Sequence, residues 1–442
     1  MPVSPARAAA FDILLRVERE NSYAAELLHS TTYANLSTPD HALLTELAMG
    51  VIRWRSVLDG ELAQASSQPL AKLDLEILIA LRLALYQFRK LDRIPQRAAL
   101  NESVELVKRA RKRSAAPFVN AVLRKLSTKS PCDPVSSVVK EVALAEAFAH
   151  PEWLVKRWTE TYGLAAAHKI CEHDQNIPQT SLRLRSPDAE KQLSAEGIQT
   201  IPGRLVSSAR VVTAGDVPKS KAFRGGQVAI QDEASQLVAA LVGIGHCILD
   251  CCAAPGGKTL AISDRNPDAS ITSLELHPHR ARLLRKLTHN DSRIHVVAAD
   301  AQHIPLKRLY DRVLADIPCS GTGTLGRNPE IKWRLKPEDL TELQRRQIAI
   351  LRSAMAQVAP GGRLIYSTCS LEKEENEDVV EHALAGSNSF RLVPCAAELN
   401  CLKHSGELTW SDPASLTKGP YLRTIPGVHP CDGFFAAILE RS

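Results

Sequence analysis

The chain has 442 residues, 44% hydrophobic and 24% charged, with a net charge of +6 and a pI near 8.7. At roughly 150 residues per domain, this length predicts about two to four domains. The composition is that of a soluble globular protein and excludes a compositionally biased chain, while the mild basic excess does not by itself require a nucleic-acid partner. The ten cysteines include no C-x-x-C pair, so zinc-ligand spacing is absent and no metal is expected. Scattered cysteines fit a reducing, cytoplasmic setting. The stretch Met1 to Glu20 carries Arg7, Asp12, Arg16, Glu18 and Arg19, which argues against a signal peptide. The longest apolar run, Leu75 to Phe88, is interrupted by Glu76 and Arg82 and is too short to span a bilayer, so no membrane association is expected.

Residues 5 to about 128 read as all helix. Leu75, Leu78, Leu81, Leu85 and Phe88 recur at the spacing of a helix with one buried face. Further helical segments run through Ala6–Glu18, Asp40–Leu58 and Ala98–Arg111, punctuated by Pro95 and Pro117. Nine basic residues (Arg89, Lys90, Arg93, Arg97, Lys108, Arg109, Arg111, Lys112 and Arg113) face only three acids (Asp92, Glu102 and Glu105). Such a cluster attracts phosphates, although a solvated helix face has the same composition. Ser127–Ser137, rich in Ser, Thr, Pro and Lys, reads as a linker.

Residues 138–235 read as a mixed α+β region. Helices are expected at Pro151–Tyr162 and Leu164–His173, and strands at Ser181–Arg185 and Arg210–Thr213. No catalytic motif falls there, which suits a packing or RNA-positioning module. From residue 236 onward, short apolar runs alternate with helical stretches: Cys247–Leu249, Ile271–Leu274, Ile294–Ala299, Val313–Ala315, Leu364–Tyr366 and Phe434–Leu439. This alternation predicts βαβ units and a mostly parallel, Rossmann-like sheet.

Ligands of open α/β sheets bind beyond the carboxyl ends of the strands. Those ends read Asp250, Glu275, Asp300, Asp316 and the turn Ser367-Thr368-Cys369, which suggests one shared crevice. The first loop, Asp250-Cys251-Cys252-Ala253-Ala254-Pro255-Gly256-Gly257-Lys258-Thr259, has small residues that let backbone approach a ligand, followed by a helix N-terminus. A P-loop would need glycine where Cys252 stands, and the G-x-G-x-x-G of a dinucleotide fold is missing. The third reading is an S-adenosylmethionine (SAM) site, in which small residues receive the methionine part of the cofactor. Glu275 would then lie at the ribose and Asp300 near the adenine. Cys251 and Cys252 are expected to be small buried hydrophobes. Cys319 and Cys369 follow the ends of adjacent strands in polar turns and are expected to face the same cleft.

At these residues the chain resembles the Sun-type family of RNA cytosine-5 methyltransferases. The resemblance is carried by Leu249 through Thr259, Asp316-Ile317-Pro318-Cys319-Ser320-Gly321 and Ser367-Thr368-Cys369-Ser370. It extends to Arg327-Asn328-Pro329-Glu330-Ile331-Lys332-Trp333, Glu374-Glu375-Asn376-Glu377, Asp432-Gly433-Phe434-Phe435 and Gln231-Asp232-Glu233-Ala234-Ser235. Ile317 departs from the commoner alanine without removing a reactive group. The resemblance implies Cys369 as nucleophile, Cys319 as the cysteine that assists product release, SAM as cofactor held by Cys252, Ala253, Ala254, Pro255, Gly256, Gly257, Lys258, Glu275, Asp300 and Asp316, and Lys332 near the target base.

The chemistry it implies needs a thiol. Carbon 5 of cytosine is a poor nucleophile; a thiolate added to carbon 6 makes carbon 5 enamine-like, so that it can attack an electrophilic methyl. Asp316 is placed to polarise the ring at nitrogen 3 or to contact SAM, and the residues alone leave both open.

The helical block is similar to NusB, an all-helical RNA-binding domain, through Ala8–Leu14, Leu81–Gln87 and Asn120–Lys125. The expected layout is a NusB-like domain over 1–130, an α+β linker domain over 138–235 and a SAM methyltransferase domain over 236–442, an order resembling the family's small-subunit rRNA members. The expected partner is 16S ribosomal RNA, free or in a partly assembled subunit, anchored in part by Arg109, Arg111 and Lys112, and the chain is expected to act as a monomer. The same chemistry on tRNA or 23S rRNA, and a non-catalytic antitermination factor, are the rival readings; the second leaves two strand-end cysteines and an intact cofactor loop without a purpose.

Overall fold

The computed structural model describes residues 3–128 and 141–442; from residue 129 on, the expected linker lies outside the described residues. The chain forms two compact units, Met1–Ile177 with Leu325–Arg334, and Pro178–Thr324 with Leu335–Ser442.

The first unit is helical. Its central helix, Leu75–Lys90, buries Ile79, Leu81, Leu83 and Leu85 against Ile13, Leu44, Leu47, Leu58 and Leu62. Each such side chain contributes roughly 1.5–3 kcal/mol when taken out of water. The helix expected at Asp40–Leu58 is two, Thr38–Arg53 and Arg55–Ala65, broken at Trp54 (φ −100°, ψ 14°). Apolar residues run on in register on both sides of the break, which hides it from a periodicity argument. Ser37 starts the first of the pair by accepting a hydrogen bond from the Asp40 N–H at 3.2 Å. Helices Glu141–Ala147, Glu152–Tyr162 and Leu164–Gln175 also belong to this unit. Thus the two helices expected in the middle region group with the first unit, and its strands, with the short helices Ala189–Ala195 and Lys221–Arg224, group with the second.

The second unit holds two sheets. Strands β1 (Ser181–Leu184), β2 (Gln199–Pro202), β3 (Ala209–Ala214) and β4 (Val228–Ile230) form a small antiparallel sheet in the order β2-β3-β1-β4. The large sheet comprises β5 (Cys247–Asp250), β6 (Ser270–Glu275), β7 (Ile294–Ala298), β8 (Tyr310–Asp316), β9 (Val358–Thr368), β10 (Phe390–Val393), β11 (Thr417–Lys418), β12 (Tyr421–Arg423) and β13 (Phe435–Arg441). Its order is β11-β12-β13-β9-β8-β5-β6-β7, with β10 paired to β13. Strands β5 to β9 are parallel, and β13 runs antiparallel to β9.

Helices connect the parallel strands, and Val313–Ala315 of β8 and Leu364–Thr368 of β9 are buried without alternation. The strand order reverses between β5 and β8, which opens the crevice where such sheets bind ligands. The small sheet is tied to the large one by Asp264, which receives Arg183 at 2.6 Å and Arg185 at 2.8 Å. Buried Glu233 adds a second tie, accepting the backbone N–H groups of Arg204, Leu205 and Val206.

Candidate active site

Asp250, Glu275, Asp300 and Asp316 all stand at or just beyond the carboxyl ends of neighbouring parallel strands. The loop after β5 is stitched to its neighbours: Cys251 N–H donates to Leu314 O at 2.9 Å and Ala253 N–H to Leu274 O at 2.8 Å. Gly256 adopts φ +115°, and a Cβ there would lie 2.7 Å from a Leu284 methyl, so the loop needs glycine at this position. Helix Gly257–Arg265 starts immediately after it, leaving N–H groups at the crevice. Thr259 donates to one oxygen of Asp250 at 2.7 Å, while the other, Oδ1, is buried with no hydrogen-bond partner. Burial pushes the Asp250 carboxyl up to about 6. An orphaned buried acceptor beside a glycine cradle fits a cofactor that carries a donor group, such as the amine of SAM's methionine part. Glu275 is buried with Oε1 accepting the His277 N–H at 2.9 Å, and Asp300 caps the turn after β7 through the Gln302 N–H at 2.9 Å. Cys251 is buried, as expected, and Cys252 is only partly so.

The two cleft cysteines meet. Cys319 Sγ and Cys369 Sγ are 3.4 Å apart, both partly exposed, on the turns after β8 and β9. The shared hydrogen bond with Cys369, together with burial, holds the Cys319 thiol well above the ordinary range. Either sulfur can be the donor in this contact. Lys258, on the cofactor-loop helix, pairs with Asp316 at 2.7 Å, and Ser367 donates to the other Asp316 oxygen at 2.7 Å. Burial works against the Lys258 charge, but Asp316 and the Cys369 sulfur outweigh it and hold its pKa above that of an ordinary lysine. The ammonium also lies 4.9 Å from the Phe434 ring centroid. A thiol pair, a cation and a carboxylate thus share one cleft.

Behind the thiols lies a buried polar layer. Glu375, fully buried, accepts the Ser320 N–H and Gln347 Nε2 at 2.8 Å each, Ser370 Oγ at 2.5 Å, and Ser320 Oγ. Asn376 accepts Thr368 Oγ1 at 2.5 Å and donates to Ser370 O at 2.9 Å, bracketing Cys369. Gly323 N–H donates to Cys369 O at 2.8 Å, and Gly433 N–H to Gly323 O at 2.8 Å. Glu375 and Gly433 lie in runs that resemble the family, but the sequence alone assigns them no role. Their shared signal is small or polar residues beside cysteine turns, legible only once β8, β9 and β13 are known to be neighbours. Asp232 plays a similar tying part, receiving the Asp432 N–H at 3.3 Å.

Lys332, expected near the base, belongs to the first unit. It is 1% exposed, close to Asp174, Cys171 and His150, with no hydrogen-bond partner for Nζ. Burial lowers its pKa from 10.5 to about 7. Its neighbours in sequence are equally engaged there: Glu330 accepts the Ala24 N–H at 2.8 Å, Trp333 Nε1 donates to Ile52 O at 2.7 Å, and Arg334 donates to Val17 O at 2.8 Å.

In the basic cluster, Arg89 pairs with Glu61, Lys108 with Glu105, Arg109 with Asp12 and Lys112 with Asp74, while Lys90 lies over the Trp54 ring. Arg93, Arg97, Arg111 and Arg113 are exposed and have no acidic partner among the described residues. The second unit carries a further set that sequence reading missed, Arg280, Arg282, Arg285 and Lys286 on helix Pro278–Leu287, also exposed and without acidic partners among the described residues. Among the described residues no cluster of His, Cys, Asp or Glu could hold a metal, and no helix is long and apolar enough to cross a membrane.

Comparison with known proteins gives two family matches, NusB over residues 4–128 and 16S rRNA methyltransferase RsmB/F over residues 243–440. The probable ribosomal RNA small subunit methyltransferase B of Bacillus subtilis is 36% identical over 460 residues, covering 100% of both chains. The ribosomal RNA small subunit methyltransferase B of Vibrio vulnificus is 30% identical, covering 98% of this chain and 99% of its own. A crystal structure of a methyltransferase homolog from Pyrococcus horikoshii matches 68% of this chain and 99% of its own with a TM-score of 0.55 at 24% identity, a likeness of fold.

Proposed function

This chain belongs to the RsmB/F family of 16S rRNA methyltransferases, and from that premise we propose that it methylates carbon 5 of a cytosine in small-subunit rRNA through a covalent bond to Cys369. The observation that carries the reading is the 3.4 Å contact between two thiols at adjacent strand ends, beside the Lys258–Asp316 pair. SAM, when bound on the loop after β5, supplies an electrophilic methyl group.

The chain's own residues do the rest. Cys369 attacks carbon 6 as a thiolate, and the S–C6 bond forms as the ring's conjugation breaks. The Lys258 ammonium, held above the ordinary lysine range, favours that thiolate and can donate to an acceptor on the cytosine edge, while Asp316 can accept from the exocyclic amine. The first contact draws electron density away from carbon 6 in the direction the addition needs, and the second orients the ring. Carbon 5 then takes the methyl, loses its proton to a base, and the S–C6 bond breaks to restore the aromatic ring and the Cys369 thiolate. Cys319, 3.4 Å from Cys369, is the group assigned to that release. A stacked cytosine reaches none of these atoms, so the target is single-stranded or flipped out, at a cost of a few kcal/mol.

The first experiment supplies labelled SAM and unmodified small-subunit rRNA, with tRNA and large-subunit rRNA in parallel, and assays digests for 5-methylcytidine. Label in small-subunit 5-methylcytidine is expected, and label in another position or another RNA sinks the corresponding half of the reading. Cys369→Ala should abolish methylation and leave SAM binding intact, whereas Cys319→Ala should accumulate a protein–RNA adduct. The opposite pattern reverses the two roles.

A further inference from the structure

We propose that Glu375 is the positioning residue of this site: one buried carboxylate that binds the turns behind both cysteines and so fixes the separation of the two thiols. The inference rests on the reading of Cys369 and Cys319 as the working pair, and it adds what holds them there.

A buried carboxylate costs several kcal/mol unless it is paired or fully hydrogen-bonded. Glu375 forms no ion pair among the described residues. All of its compensation is neutral: Oε1 accepts the Ser320 N–H and Gln347 Nε2, and Oε2 accepts the hydroxyls of Ser320 and Ser370. A carboxylate offers about four acceptor positions, and all four are taken. A group so saturated has no lone pair left for substrate, which separates it from a general base.

What it grips is specific. Ser320 follows Cys319 and Ser370 follows Cys369, so Oε2 lies between the residues next to both thiols. The residue before Cys319 is held too, since Gln347 also donates to Pro318 O at 3.1 Å. The clamp is itself anchored, with Tyr366 OH donating to Glu375 O at 2.5 Å and the Asn376 side chain holding Thr368 and Ser370 on either side of Cys369. Gln347 stands on helix Asp339–Met355, and Tyr366 lies within β9. The 3.4 Å separation of the thiols is thereby referred to rigid elements rather than to two loops alone.

Glutamine at this position keeps the shape and halves the acceptors. Its amide nitrogen cannot accept: set toward the Ser320 N–H and Gln347 it leaves both without a partner, and set toward the Ser320 and Ser370 hydroxyls it turns them from donors into acceptors and removes the charge that strengthens all four bonds. The turns should then relax independently.

The test uses the full-length chain carrying Glu375→Gln. One readout is thiol proximity: diamide takes two electrons and two protons from the Cys319 and Cys369 thiols, forming a disulfide as its azo bond is reduced to the hydrazine. We expect the disulfide to form about tenfold more slowly in the variant, because the bond tolerates little misplacement. The other readout is turnover, where kcat should fall about 100-fold with the KM for SAM within about twofold, since a shift of about 1 Å at reacting atoms costs that much and the cofactor loop is untouched. In a Cys319→Ala background, the covalent adduct should form correspondingly slowly.

If Glu375→Gln does not fold, Ser320→Ala with Ser370→Ala removes two of the four donors and should give an intermediate loss of both quantities. Unchanged disulfide formation and unchanged kcat in the folded variant overturn the proposal. The disulfide readout needs no RNA, so a wild-type chain that cross-links rapidly yet makes no 5-methylcytidine would sink the functional reading while leaving the clamp standing.

Discussion

Lys332 sets an ammonium where water does not reach and gives it no hydrogen-bond partner. Its folded-state pKa is about 7 against 10.5 when free, so the sign of its effect on stability follows directly. Below about 7 both folded and unfolded chains carry the charge, and the folded one bears the cost of burying it. Between about 7 and 10.5 the unfolded chain binds one more proton, so this contribution makes stability rise with pH. Lys332→Met should therefore raise the melting temperature by several degrees near pH 6, and the gain should fade toward pH 10. A variant less stable than wild type at pH 6 would show that the charge is compensated. That Cys319 and Cys369 share a cleft could be read from sequence because both follow the ends of adjacent strands in polar turns, whereas Cys251, also after a strand end, is buried. The surroundings of Lys332 could not, since they are assembled from Cys171, Asp174 and His150, far away along the chain.

Among the elements, the parallel strands β5 to β9 were legible as apolar runs, and so was β13. The short antiparallel strands β10, β11 and β12 were not, because two to four residues cannot display a period. The turn at Thr322–Thr324 shows how elements make the site. A Cβ on Gly323 would lie 2.1 Å from Gly433 O and 2.9 Å from Cys369 O. Gly323→Ala must push the Cys369 turn away from β13, so we expect a loss of about 1–3 kcal/mol in denaturant melts, in the range of overpacked cores. Methylation should fall further than stability alone explains, at temperatures where the variant is folded. Wild-type stability would mean that the turn slides without strain.

Over the whole molecule, charge is distributed less simply than the net value suggests. Arg109 and Lys112, expected to bind RNA, already have carboxylate partners, whereas Arg111 and Arg113 do not. Exposed ion pairs are weak, about 0–1 kcal/mol, but they neutralise the charge that a phosphate would meet. Reversing Arg93, Arg111 and Arg113 to Glu should flatten the salt dependence of rRNA binding, by about 0.7–0.9 in log–log slope for each phosphate no longer neutralised. Reversing Arg282, Arg285 and Lys286 asks the same of the second unit. Affinity and slope unchanged in both variants would place the RNA elsewhere.

The chain leaves the second unit after Thr324, contributes Leu325–Arg334 to the first, and returns at Leu335. During synthesis the first 177 residues exist long before this segment does. Until it arrives, the Ala24 N–H lacks the Glu330 acceptor, and the Val17 and Ile52 carbonyls lack the bonds from Arg334 and Trp333. Domains ordinarily fold in order from the ribosome, the earlier one finished first. Here the helical unit can be completed only after β8 has been made, so the two units finish close together rather than one well before the other.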